Sequence, residues 1–240
     1  MQIGEKDINN LPTESVNTIT NRWFLLRLHE VKGSVTKKIE NYQFSSAGEE
    51  LRDFTWGDLA DWYLEIAKIE KHTPLQLAFI LKNLLVLWHP FMPFVTEHIW
   101  QIAGFGGYCM QYQWPKGGQL PMNDKSFQNF EILRTLITDI RRLRAEQGIE
   151  PAKKVEISIS CPPEIAKLVE ENKAVAEYLS RSLSITIADS VPDGWVTTVS
   201  GSATIALNAA GSVDVEKERA KLEKEIAETE AYIKSFKTKL

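Results

Sequence analysis

Arg134 and Arg141 stand seven residues apart, a spacing that puts both on one face of a helix, with Arg142 and Arg144 flanking and Lys153 and Lys154 shortly after. A row of guanidinium groups at that spacing can bind successive phosphates of a nucleic-acid backbone, each contact positioning the strand without reading it. The same residues suit a solvated helix face paired with Glu131, Asp139 and Glu146, where exposed ion pairs contribute little. Arg22 and Arg27 at the start of the first amphipathic segment, and Lys37 and Lys38 at its far end, allow the same two readings. Unpaired bases stack on aromatic faces, and the chain holds seven tryptophans. Trp62, Trp88 and Trp100 fall on apolar helical faces, where packing is the expected role, whereas Trp56 beside Gly57 and Asp58 is left open.

Other chemistries lack their pattern. His89 precedes a proline and His98 follows Glu97, and neither belongs to a metal-ligand spacing or a nucleophile–base set, so both read as structural. Gly104, Gly106 and Gly107 follow no strand and open no basic helix, which disfavours a phosphate loop. Cys109 and Cys161 form no CxxC pair, so neither a zinc site nor a disulfide framework is expected. The net charge of −4 argues against nucleic acid until its distribution is read. Residues 130–155 carry six basic against four acidic side chains, and residues 156–212 three against seven, so only a local basic face is available. No run of about eighteen apolar residues occurs and the N-terminus has no signal-peptide layout, which predicts no membrane partner and a cytoplasmic address.

These residues need helices to hold them. With 43% hydrophobic residues in 240, the chain can bury one substantial core and a second small one. Residues 1–19 read as a polar loop or remnant. Leu28, Val31, Val35, Ile39 and Tyr42 recur at helical spacing after Phe24, with Lys32, Lys37 and Lys38 elsewhere on the cylinder. A second helix is predicted from about Ala47 to Lys68, burying Leu51, Phe54, Leu59, Trp62 and Ile66. Thr73 and Pro74 cap and open a third, which buries Leu77, Ile80, Leu81, Leu84 and Trp88. Pro90 and Pro93 then force a corner, because proline lacks an amide proton and disfavours helix in the residue before it. A short helix runs to about Ala103, and a fifth from Lys125 to Gln147 ends at Gly148. Alternating strands at Val155–Ile159, Ile185–Ile187, Val196–Val199 and Ala203–Leu207, with two short helical stretches between Pro163 and Arg181, predict a small α+β unit over 152–212. From Val213 the positions Val215, Leu222, Ile226, Thr229, Ile233, Phe236 and Leu240 draw a coiled-coil stripe over 213–240, interrupted by Arg219. Lys217, Arg219, Lys221 and Lys224 face acids within it, which favours intrahelical pairing.

Four segments in order resemble the C-terminal part of valyl-tRNA synthetases, which are class I aminoacyl-tRNA synthetases. Asn21-Arg22-Trp23-Phe24-Leu25-Leu26-Arg27-Leu28 resembles their "DRW-L-RL" helix opening, with Asn for the usual Asp. Tyr42-Gln43-Phe44, Leu51 to Asp58 and Asp61 to Glu65 resemble "Y-F--A---LYDF-W-EF-DWY-E". Leu87 to Trp100 is similar to "LHPFMPF-T-E-IW", and Ile140 to Glu146 with Pro151 and Lys154 completes the series. Isoleucine and leucine enzymes share parts of the first three, and the charged ending from Asp214 resembles the start of the valine enzyme's coiled coil. The resemblance implies a mainly α fold: a helical-bundle anticodon-binding domain over 20–151, the small α+β unit, and a coiled-coil tRNA-binding arm. It implies tRNA(Val) as partner, no DNA, and a monomeric parent that joins valine to tRNA using ATP and magnesium. Motifs for activation and editing are absent, so no catalytic residue and no cofactor is expected within this chain. The tRNA-contact candidates are the ten cations already named, from Arg22 to Lys154. The alternatives are the same module of an isoleucyl- or leucyl-tRNA synthetase, or a helical protein-interaction scaffold.

Overall fold

The computed structural model describes residues 18–70, 74–117, 125–209 and residue 229. They fall into two compact units divided after Ile132. The expected loop at 1–19, apart from its last two residues, and the expected coiled coil, apart from residue 229, lie outside the described residues.

In the first unit α1 (Ile19–Glu40) opens where Thr18, in extended backbone, accepts from the Asn21 N–H at 3.2 Å. Its apolar positions Trp23, Phe24, Leu28, Val31 and Val35 are buried as their spacing requires. Two positions depart from the expected stripe. Lys32, expected on the outer face, is buried with its ammonium over the Phe79 ring at 5.5 Å. Tyr42, expected among the buried positions, is exposed, because α1 ends at Glu40 and the chain turns through left-handed backbone at Tyr42, φ 59°.

The second predicted helix is continuous from Phe44 to Glu70 but is wound in three pieces. These are α2 (Phe44–Asp53), a π-helical stretch (Phe54–Tyr63) and α3 (Leu64–Glu70). The apolar stripe explains the middle piece: from Phe54 the next buried apolar residue is Leu59, a five-residue step that α spacing cannot keep on one face. Phe24 of α1 stacks on Tyr63 at 4.2 Å and on Phe54 at 5.2 Å, and Trp23 stacks on Phe130 at 4.2 Å. α4 (Pro74–Trp88) ends at the corner, where the amides of Phe91 and Met92 both reach the Trp88 carbonyl at 3.0 Å. Pro93 then opens α5 (Pro93–Ala103), which Gly104 closes at φ 70°. A second apolar cluster joins Leu85 and Val86 to Trp100, Phe105 and Cys109. Lys82 is buried there, its ammonium 4.2 Å from the Tyr112 ring centre and 5.5 Å from that of Trp100.

The division between units falls inside α6 (Lys125–Glu146). The second unit carries a four-stranded sheet of order β2-β1-β4-β3, from β1 (Val155–Ser160), β2 (Ser182–Ile187), β3 (Val196–Ser200) and β4 (Ala203–Leu207). β1 and β2 run parallel, joined by α7 (Pro163–Glu171) and α8 (Lys173–Ser180), while β4 is antiparallel to both its neighbours. As an inner strand β1 buries Ile157, Ser158 and Ile159 in succession. The architecture is the expected one, mainly helical with a small α+β unit.

Candidate nucleic-acid interface

The basic residues of the second unit are organised from within by Arg144. It was expected to flank the phosphate-facing row, yet it is buried, its side chain drawn in by two carbonyls. Nη1 donates to the Arg181 carbonyl at 3.0 Å and Nη2 to the Lys153 carbonyl at 2.7 Å. Arg181 in turn donates from Nη1 to the Pro151 carbonyl at 2.9 Å, and Arg141 from Nε to the Leu179 carbonyl at 2.8 Å. One guanidinium therefore ties the loop before β1 to the turn between α8 and β2, and brings Lys153, Lys154 and Arg181 to neighbouring positions. Arg181 sits in left-handed backbone, φ 54°, where it ends α8.

Carbonyl partners satisfy donors without cancelling charge. Among the described residues neither Arg144 nor Arg181 pairs with a carboxylate. Burial and, after it, the charge of Arg181 press the Arg144 pKa below its ordinary value. A guanidinium stays charged in proteins, so a positive field from an interior point persists beneath the exposed Lys153, Lys154 and Arg181. Arg142 differs: it pairs with Asp139 at 3.0 Å and with Glu146 at 3.8 Å, as the solvated-face reading required. Arg134 is half-buried on the same helix. Arg181 was not among the expected contacts, because its place depends on a pairing of strands that its neighbours in sequence do not show.

In the first unit the cations meet acids. Arg27 Nε donates to Asp58 at 3.1 Å and Nη1 to Glu30; burial lowers its pKa, but Asp58 and Glu30 outweigh that and raise it. Lys38 bonds Glu50 at 2.7 Å. Arg22 and Lys37 are exposed at opposite ends of α1. The Asn that replaces the usual Asp at 21 is buried and accepts from the Tyr63 hydroxyl at 2.7 Å, a bond that lies inside the bundle. Burial, followed by the charge of Glu70, raises the Tyr63 pKa, so the hydroxyl keeps its proton.

The corner residues brace the fold. His89 Nδ1 lies 2.7 Å from the Thr96 hydroxyl, and Glu97 accepts from the Cys109 amide at 2.9 Å and from Gln101 at 2.7 Å. Trp62 and Trp100 are buried, Trp88 is half-buried with its indole N–H on Thr55, and Trp56 is exposed over an open depression lined by Arg52, Asp53 and Gly57.

A family profile described as the anticodon-binding domain of tRNA ligase matches residues 21–159. The chain belongs to this family of tRNA-ligase anticodon-binding domains. Its similar relatives include the valine–tRNA ligase of Carboxydothermus hydrogenoformans, 35% identical over 93% of this chain and 27% of the relative. That of Corynebacterium efficiens is 34% identical over 90% of this chain and 25% of its own length. That of Geobacillus stearothermophilus is 32% identical over 94% and 27%. The anticodon-binding chain thus spans about a quarter of the length of the curated relatives it matches. The profile reaches from α1 to β1 and so includes α6, Lys153 and Lys154, while Arg181 lies beyond it.

Proposed function

We propose that this chain is the tRNA-docking part of a valine–tRNA ligase. It holds tRNA(Val) while a catalytic body, supplied elsewhere in a monomeric cytoplasmic parent, uses ATP and magnesium to charge it. Its contribution is binding geometry with no bond chemistry. The observation that carries the reading is the basic cluster around Arg144: interior positive charge with no acid partner among the described residues, beneath surface cations, inside a family of anticodon-binding domains. A phosphate backbone would offset the repulsion between Arg144 and Arg181, and polyanion binding of this kind releases counterions. Arg22, Lys37, Arg134, Arg141, Lys153 and Lys154 are the proposed contacts from the original set, with Arg181 added. Arg27, Lys38 and Arg142 contribute less because carboxylates occupy them.

The test is a titration of the chain with tRNA(Val) transcript at several salt concentrations. Affinity should fall steeply with salt, and changing Lys153, Lys154 and Arg181 together to Ala should flatten the dependence by about three ions. No affinity at low salt would sink the proposal. The chain alone should also give no valine-dependent pyrophosphate exchange.

A further inference from the structure

Trp56 is 61% exposed, whereas Trp23, Trp62 and Trp100 of the same unit are buried. With Arg52, Asp53 and Gly57 it lines an open depression of about 530 Å³, whose surface is almost wholly apolar. Packing within the chain does not account for this arrangement. Glycine weakens a helix interior, yet a Cβ at position 57 would meet no atom within 4 Å, and the φ of Gly57 is not positive. Neither a close neighbour nor the backbone conformation calls for glycine there. What glycine does is leave the space beside the indole empty, so that something from outside can approach the backbone. The winding points the same way, because Trp56 and Gly57 lie in the π-helical stretch, a form that is rare and frequent at functional sites.

The surroundings select the kind of occupant. The exposed residues near Trp56 in sequence are Glu49, Arg52, Asp53, Ala60 and Asp61. One indole among charges is too small an apolar surface for a protein interface, whose core packs several side chains together. It suits a single planar ring. Glu49, Asp53 and Asp61 are carboxylates, so phosphate finds little hold here, whereas an uncharged nucleobase can stack on the indole. Arg52 donates from Nε at 3.0 Å and from Nη2 at 2.8 Å to Oδ1 of Asp53. These bonds use one carboxylate oxygen and two of the three guanidinium nitrogens, so a donor and an acceptor remain side by side for the edge of a ring lying on Trp56.

We infer that Trp56 is a stacking platform for an unpaired nucleobase of the bound tRNA, with Gly57 giving the base its space and Arg52 and Asp53 meeting its edge. The inference rests on the proposal that this chain docks tRNA. Cations elsewhere in the chain hold phosphates, and here the contact is one neutral ring against another.

The experiment titrates the full chain with tRNA(Val) transcript and, in parallel, with a blunt RNA duplex that has no unpaired base, each at several salt concentrations. Trp56→Ala should weaken the tRNA complex about tenfold. It should leave the slope of log affinity against log salt unchanged, because stacking releases no counterion. Trp56→Phe should recover part of the loss. Gly57→Leu, whose side chain would enter the depression, should weaken tRNA binding as Trp56→Ala does. Duplex affinity should be equal in all four chains, and tRNA should quench indole fluorescence less in Trp56→Phe than in the wild type. The circular dichroism spectrum should not change, since Trp56 is exposed and Gly57 has open space beside it. Wild-type tRNA affinity that Trp56→Ala leaves intact overturns this inference alone. An equal loss for the duplex also overturns it, as does self-association that Trp56→Ala abolishes, which gives the ring to a second copy. A wild-type chain without tRNA affinity overturns the proposed function and this inference with it.

Discussion

The helical unit and the sheet unit hold their cations differently. In the first, Arg27 and Lys38 lie against Asp58 and Glu50, and the buried Lys32 and Lys82 lie against aromatic rings. In the second, Arg142 pairs with Asp139 much as in the first, but Arg144 and Arg181 donate to backbone carbonyls. A carboxylate cancels the charge it binds, whereas a carbonyl satisfies the donors and leaves the charge in place. The number of basic residues is thus a poor guide to where a polyanion will settle; what each of them bonds to decides more.

The largest expected effect separates the two arrangements directly. Arg144→Ala strips two carbonyls of their charged donor and should destabilise the chain by about 3 kcal/mol in urea unfolding. Lys38→Ala should cost at most about 1 kcal/mol, since its pair with Glu50 is partly solvated. Equal losses would erase the contrast. Arg144→Lys, which keeps the charge but not the planar fork, should fall between them.

The next effect uses the fact that a buried lysine can lose its proton and an arginine cannot. Burial lowers the Lys32 pKa from 10.5 to about 8. Between those values the unfolded chain binds a proton that the folded chain does not, so stability rises with pH. From pH 8 to 9 the gain should approach about 1 kcal/mol. Lys32→Met should remove that rise. The window stops at 9 because Cys109, pushed up to about 11 by burial and the charge of Glu97, keeps its proton when folded and offsets the rise above the ordinary thiol value, levelling the curve. Chemical unfolding in a pH series reads both arms.

Two smaller effects sharpen the comparison through RNA. Arg181→Ala should reduce the salt dependence of tRNA binding by about one ion, while Lys38→Ala should leave it nearly unchanged. Glu50→Gln converts the first arrangement towards the second by releasing Lys38. It should steepen the salt dependence by less than about one ion, with stability altered by about 0.5 kcal/mol.

The helices and strands were legible because their signals are local. The stripe on α1, the proline corner, the glycine after α5 and the alternation in β4 each reside in a few adjacent residues. The π-helical stretch was visible only as a five-residue gap between Phe54 and Leu59, which an α-only reading passes over. Arg144 and Arg181 were harder still. Periodicity put Arg144 near the exposed row, and nothing adjacent to it announces that carbonyls of Lys153 and Arg181 would draw it inward. Tyr42 failed for a related reason: spacing extends a helical face for as long as the letters fit, while the backbone had already turned. Of the proposed site, sequence supplied the surface lysines and geometry supplied the buried charge beneath them.

The wide coil at Phe54–Tyr63 has a mechanical consequence. It aims Asp58 and Tyr63, five residues apart, at the same neighbour, where they hold Arg27 and Asn21. Two polar grips on α1, set at unequal steps along the axis, match in one alignment only, so the rods cannot slide past one another by a turn without releasing both. At about 1.5 Å per residue the 22 residues of α1 form a strut of roughly 33 Å. Locked against slippage, it can carry a displacement at one tip to the other undiminished, as a lever does and a loosely packed bundle does not.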